Sequence, residues 1–218
     1  MKKVFAVIPA MNESRNIGNV IKAVRKHVKN IVVIDDGSSD DTYDVAKAKH
    51  VAVLKHIINL GKGAALKTGC EFAIKNNATH MIFIDADMQH DPEEIPNFLK
   101  ALKKYDMVFG YRKMTKSMPF ILRFGNWCIN RSTKYLYGLE IYDTTCGYRA
   151  ITAKAYKKIR WETTGYFVEA EMIANVGKEK ISYTQIPIKT IYSDKYKGTT
   201  VLDGVKIVIN MLMWRLRR

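Results

Sequence analysis

Five times in its first half this 218-residue chain runs through a short strand-like stretch and stops on a cluster of acidic, glycine or basic residues. The strand-like stretches lie at 4–8, 31–34, 51–56, 81–84 and 107–109. Residues 15–26, 42–49, 63–76 and 92–103, between them, carry helical patterns. Strand and helix in strict alternation, with strands apolar on both faces, predict an α/β chain built on a mostly parallel sheet flanked by helices. In such sheets ligands bind beyond the carboxyl ends of the strands, where the polar clusters fall.

The helix after Asp91 has a legible start, with a capping acid, then Pro92 in the first turn, then Glu93 and Glu94 at the positive end of the dipole. The second half predicts a helix rich in Arg and aromatics over 118–138 and another over 165–178. A strand over 181–192 carries Pro187 and belongs at an edge or bulge. There is no linker or repeat, so one catalytic-size domain is expected over 1–202, with a C-terminal amphipathic helix over 203–218.

Composition narrows the partners. Lys and Arg number 36 against 21 Asp and Glu, a net charge of +15 that draws polyanions: nucleic acid, anionic lipid or phosphorylated substrates. No stretch reaches the ~20 apolar residues of a membrane span, and the N-terminus enters its first strand without a signal-peptide pattern. Cys70, Cys128 and Cys146 form no CxxC pair. A cytoplasmic, reducing setting is therefore expected. Nucleic acid is disfavoured, because acidic clusters sit at the strand ends and no basic recognition helix is present.

Asp85 and Asp87, one residue apart at the end of a buried strand, offer hard oxygen ligands that suit Mg²⁺ or Mn²⁺ bridged to substrate phosphates. A polar loop with capping acids is the alternative. Asp35-Asp36-Gly37-Ser38-Ser39-Asp40 can accept hydrogen bonds from a base or ribose, or simply form a strand-to-helix turn. The glycines around Lys62 let a cation and backbone amides approach an anion, without the spacing of a P-loop; the G-x-G-x-x-G fingerprint is absent too.

In order, Pro9-Ala10-Met11-Asn12-Glu13, Asp35–Asp40, Asn59-Leu60-Gly61-Lys62-Gly63-Ala64-Ala65 and Asp85-Ala86-Asp87-Met88-Gln89 resemble the family 2 glycosyltransferases. His90, Gly110-Tyr111-Arg112 and Asp143-Thr144-Thr145-Cys146-Gly147-Tyr148-Arg149 resemble, within that family, the dolichyl-phosphate mannose and glucose synthases. The resemblance implies a GT-A type, Rossmann-like domain that moves a hexose, with inversion, from a nucleotide diphosphate sugar to a polyprenyl phosphate. It implies a nucleotide site around Pro9, Met11, Glu13, Ile34, Asp35, Asp36, Lys62, Asp85 and Ala86. Mg²⁺ or Mn²⁺ would sit on Asp85, Asp87 and Gln89, with Asp87 and Arg112 catalytic and Arg112 reaching phosphate. Met11 stands where the mannose synthases carry Tyr, and Asp194-Lys195-Tyr196-Lys197-Gly198-Thr199-Thr200-Val201 only partly matches their D-R-x-x-G-x-S-K pattern. The donor stays open between GDP-mannose and a UDP-hexose or UDP-N-acetylhexosamine.

Arg123, Asn126, Asn130 and Arg131 on the aromatic helix, with Lys195, are the acceptor-phosphate candidates. A phosphate acceptor is already ionised and needs no base, unlike a glycan or other hydroxyl. The apolar tail ending in Trp214, Arg215, Arg217 and Arg218 suits a helix lying on an anionic membrane, or one docked on the core or a second subunit. A sugar nucleotidyltransferase is a rival, but its glycine-rich loop after the first strand is missing. The processive synthases' Q-x-x-R-W is missing as well, since Arg160-Trp161 lacks the glutamine.

Overall fold

A computed structural model describes residues 2–112, 120–189 and 201–216, apart from the side chains of 120–126, 128 and 201–203. All five expected early strands are present: β1 (Val4–Ala10), β2 (Asn30–Asp35), β3 (Ala52–Lys55), β4 (His80–Phe83) and β5 (Met107–Arg112). They join β6 (Arg149–Thr152) and β7 (Tyr183–Ile188) in one seven-stranded sheet of order β3-β2-β1-β4-β6-β5-β7. Only β6 runs against the rest, antiparallel to both β4 and β5. Among the described residues β7 pairs with β5 alone, so Pro187, with no N–H to donate, sits on the edge strand where it costs no ladder bond.

The strands read as continuous apolar runs because both faces are covered. Phe5 and Val7 of β1 enter a core with Leu66, Cys70, Trp161 and Ile173, while Ala6 and Ile8 enter a second with Ile17, Ile21, Phe98 and Tyr148. The first face is covered by α3 (Lys62–Lys75), α5 (Phe120–Tyr137) and α7 (Val168–Lys178); the second by α1 (Ile17–Val24), α2 (Thr42–Lys47) and α4 (Ile95–Ala101). The Asp91 side chain accepts from Glu93 N–H at 3.0 Å, with Pro92 in the first turn, as the sequence signals.

Neither β6 nor the short α6 (Ala153–Lys158) after it was expected. Thr152 caps α6, its hydroxyl accepting from Ala155 N–H at 3.1 Å. The four residues Arg149-Ala150-Ile151-Thr152 open on an arginine, and that charge masks a buried strand.

α8 (Val201–Leu216) packs against α5 and α7. Ile207 and Met211, one turn apart, are buried; the Met211 carbonyl accepts from the Tyr137 hydroxyl at 2.5 Å, and Lys178 Nζ donates to the Trp214 carbonyl. Val205, Ile209, Leu212 and Leu216, at helical spacing, form a second, exposed apolar stripe. Among the described residues no helix is long and apolar enough to cross a membrane. Met211→Ala is therefore expected to cost about 2–5 kcal/mol of stability, as for a buried core methionine. Leu212→Ala should stay within about 0.5 kcal/mol; urea unfolding of the two variants checks the difference.

Candidate active site

β2 and β3 lie to one side of β1 and β4 to the other, so a crevice opens at the carboxyl ends of β1 and β4. Lys62, the first residue of α3, projects there: its Nζ lies 2.7 Å from Asp85 Oδ1 and 2.9 Å from Glu169 Oε1. Burial works against the ammonium, but the two carboxylates outweigh it and hold the Lys62 pKa above that of an ordinary lysine. Burial likewise opposes the charge on Asp85; Lys62, then His90, reverse the effect and hold its pKa below the usual carboxylate range.

Backbone space makes this approach possible. Gly61, at φ +95°, and Gly63 press against the carbonyls of Thr164 and Thr163, where a Cβ would lie 2.5 and 2.1 Å away. Trp161 Nε1 donates to the Gly63 carbonyl at 2.9 Å, and Glu171 accepts from Glu162 and Thr163 N–H at 2.9 and 2.8 Å. A Cβ on Gly147 would meet Asp85 Oδ2 and Lys62 Nζ, each at 2.7 Å.

Asp87 lies beyond Asp85 in the same turn, its Oδ1 accepting from Gln89 N–H at 3.0 Å across Met88 in left-handed conformation (φ 65°). Burial, then the neighbouring Asp85 charge, push the Asp87 pKa up. Two crowded carboxylates of this kind fit a hard divalent cation. With Asp85 Oδ1 on Lys62, Asp87 is the better placed ligand. Among the described residues no three His, Cys, Asp or Glu side chains gather as a metal cage; an ion held by Asp87 would have to be completed by water and substrate phosphate. His90, unassigned by sequence, steadies the turn: its Nδ1 accepts from Asp85 N–H at 3.3 Å. Its ring stacks on Tyr148 at 4.9 Å, and Tyr148 stacks on Phe98 at 4.4 Å.

The first two polar clusters are zipped together. Asn12 (φ 54°) donates its N–H to Ser38 Oγ at 2.9 Å, Glu13 N–H reaches Thr42 Oγ1 at 2.8 Å, and Ser14 N–H reaches Asp40 Oδ2 at 3.1 Å. Against the cost of burial, the Thr42 and Ser14 hydrogen bonds bring the Asp40 pKa down to about 2. Asp36 is a brace: its Oδ1 meets His56 Nδ1 at 2.7 Å and Leu60 N–H at 3.0 Å, and its Oδ2 accepts from Gly61 N–H at 2.8 Å. His56 Nε2 in turn lies 3.0 Å from Thr68 Oγ1. Asp35 is fully buried, with Oδ1 accepting from Ser38 N–H at 3.0 Å and Oδ2 3.7 Å from Lys55 Nζ. Met11 is exposed at the rim, its sulfur accepting from Asn59 Nδ2 at 2.8 Å, and Pro9 is half-buried. The Ile34 and Ala86 side chains are buried, leaving only their backbone to a ligand.

Arg112 is docked on Asp143, with Nε to Oδ2 at 2.7 Å and Nη2 to Oδ1 at 3.0 Å; Nη2 also reaches Thr145 Oγ1 at 2.8 Å. Arg149, to which the sequence assigned no role, is fully buried. Its guanidinium donates to the carbonyls of Cys146, Glu169 and Thr144 at 2.9, 2.7 and 2.8 Å, tying that loop to the start of α7. Asn130 binds the same loop, accepting from the Thr144 hydroxyl at 2.9 Å and donating to the Tyr142 carbonyl at 2.8 Å. Arg131 is exposed on α5. The Arg123 and Asn126 side chains, and Lys195 with its motif, lie outside the described residues.

The model of the family described as "Glycosyl transferase family 2" matches residues 5–160. The chain belongs to glycosyl transferase family 2. Over 250 residues it is 32% identical to a UDP-N-acetylglucosamine–dolichyl-phosphate N-acetylglucosaminyltransferase of Methanococcus voltae, covering 99% of this chain and 97% of the relative. An undecaprenyl-phosphate mannosyltransferase of Micrococcus luteus is 26% identical over 98% of this chain and 94% of its own length. Glucosyl-3-phosphoglycerate synthase from Mycobacterium tuberculosis, in complex with Mn²⁺ and UDP-glucose, superposes with a TM-score of 0.76 at 19% identity. It covers 98% of this chain and 79% of that one. That likeness establishes the GT-A fold.

In this family 2 chain the contact of Gly147 with Lys62 and Asp85 is open to direct test. Gly147→Ala should leave the circular dichroism spectrum native, yet lower sugar-nucleotide turnover roughly a hundredfold, the scale of an ångström-sized misplacement.

Proposed function

We propose that the protein moves a hexose or N-acetylhexosamine, with inversion, from a nucleotide diphosphate sugar to a polyprenyl phosphate at a cytoplasmic membrane face. The carrying observation is the state of the carboxylates. Asp85 and Glu169 share Lys62, Asp143 is held by Arg112, Asp36 is spent on His56 and two backbone N–H groups, and Asp87 is the carboxylate given to the divalent cation. Transfer to a hydroxyl needs a carboxylate available to take its proton; a phosphate monoester brings its own charge and needs none. The lipid-phosphate specificity named for the Methanococcus and Micrococcus relatives supports the same acceptor.

In this reading Pro9, Met11, Glu13, Ile34, Asp35, Asp36, Lys62, Asp85 and Ala86 surround the nucleotide. Asp87, with Asp85 and Gln89, holds Mg²⁺ or Mn²⁺, which when bound offsets the charge of the leaving diphosphate. Arg112 contributes to the same end. Arg123, Asn126, Asn130, Arg131 and Lys195 form the acceptor side, where cationic groups and orientation replace a base. UDP-N-acetylglucosamine and GDP-mannose are the donors to compare.

The exposed stripe of α8, flanked by Lys206 and Arg215, suits a helix lying in the headgroup region of an anionic bilayer while its other face stays on α5. Truncating the helix would remove Ile207 and Met211 from the core, so surface substitution is the cleaner test. Leu212→Ser with Leu216→Ser should abolish flotation of the full chain with anionic vesicles and spare nucleotide affinity; equal flotation would assign the stripe to another partner.

The function itself is tested with labelled donors and two lipids that differ only in the phosphate. Sugar should pass to polyprenyl phosphate at least a hundredfold faster than to polyprenol, corresponding to about 3 kcal/mol of phosphate contacts. EDTA or Asp87→Ala should abolish transfer, with Mg²⁺ or Mn²⁺ restoring only the chelated wild type. Comparable rates to the free alcohol would establish a hydroxyl acceptor, and full activity in EDTA would remove the metal.

A further inference from the structure

An aromatic surface adjoins Arg112 at the carboxyl end of β5, and none of the roles above uses it. Tyr111 precedes Arg112 on β5, and Tyr142 precedes Asp143, the residue on which Arg112 docks. Their rings meet edge to face, centroids 5.1 Å apart and planes at 64°. Tyr142 is 53% exposed although its backbone is fixed on both sides. Its N–H donates to Gln185 Oε1 at 2.8 Å and its carbonyl accepts from Asn130 Nδ2 at 2.8 Å. Trp127, 58% exposed, lies one turn before Asn130 and hence on the same face of α5.

We propose that Tyr111, Tyr142 and Trp127 form the subsite for the first prenyl units of the acceptor, next to its phosphate. This rests on the phosphorylated-lipid reading above. Aromatic side chains exposed at rigid positions mark a binding surface more than a loose loop would. An edge-to-face pair presents an angular groove rather than the flat platform a sugar ring stacks on, and it suits a methyl-branched chain. Its position also fits an amphiphile. Tyr142 adjoins Asn130, assigned above to the acceptor side, and α5, which carries Trp127, also packs on α8, whose outer stripe of Ile209 and Leu212 is the surface expected to meet lipid.

The test is steady-state kinetics of the full chain, with UDP-N-acetylglucosamine or GDP-mannose, whichever the wild type consumes, and undecaprenyl phosphate as acceptor. Tyr142→Ala and Trp127→Ala should each raise KM for the lipid about tenfold, the scale of one partly buried apolar contact. The donor KM and the kcat at saturating lipid should stay within about twofold, which a merely structural role would not allow. Tyr142→Phe, which keeps the ring, should recover most of the lost affinity. An unchanged lipid KM in both alanine variants would overturn the subsite and leave the acceptor reading standing. So would a fall in kcat and donor affinity that matches the loss for lipid. A wild type that uses no prenyl phosphate would overturn the acceptor reading, and the subsite with it.

Discussion

A single ammonium shared by two carboxylates organises the active end of this fold. Lys62, at the start of α3, meets Asp85 from the turn after β4 and Glu169 from α7, so one side chain joins three segments distant in sequence. Partly buried charges of this kind are costly unless the geometry is good, and removing one partner leaves the others uncompensated. Much of the surrounding backbone serves that geometry. Gly61 and Gly63 let α3 start against the 163–164 loop, Gly147 leaves room beside the ion pair, and Arg149 anchors the α7 end through the Glu169 carbonyl.

That dependence explains what could be read from the sequence. The five strand ends were legible because a strand buried on both faces must be apolar and must then stop on polar groups. Asp85, Asp87 and Lys62 were legible as chemistry by type and position. Their mutual contacts were not, since Glu169 lies 107 positions beyond Lys62 in a helix that reads as an ordinary amphipathic one. β6 escaped for a related reason: a buried arginine satisfied by three carbonyls looks, in one dimension, like a surface residue.

Asp36 and Arg112 carry a different lesson. Both were expected on the nucleotide or its phosphates, and the structure gives both protein partners, a loop brace for one and Asp143 for the other. A charged residue beside a site can work by shaping it, and sequence pattern does not separate the two roles. α8 is similarly ambiguous in sequence. Its apolar residues divide between a docked face at Ile207 and Met211 and an exposed one at Val205, Ile209, Leu212 and Leu216, a division set by the position of α5.

The charge arrangement has a consequence for the order of binding. Lys62 pairs with Asp85 and Glu169, Arg112 pairs with Asp143, and the buried Arg149 bears on all three of these carboxylates, whereas among the described residues Asp87 has no ion pair of its own in a chain whose net charge is +15. An anionic substrate approaching the basic exterior is attracted, then repelled close to Asp87. Burial, and after it the Asp85 charge, push the Asp87 pKa up. A divalent cation on Asp87 would cancel the local excess and convert the repulsive position into one that holds a diphosphate. Donor and cation should therefore bind with positive coupling, each tightening the other by the same factor.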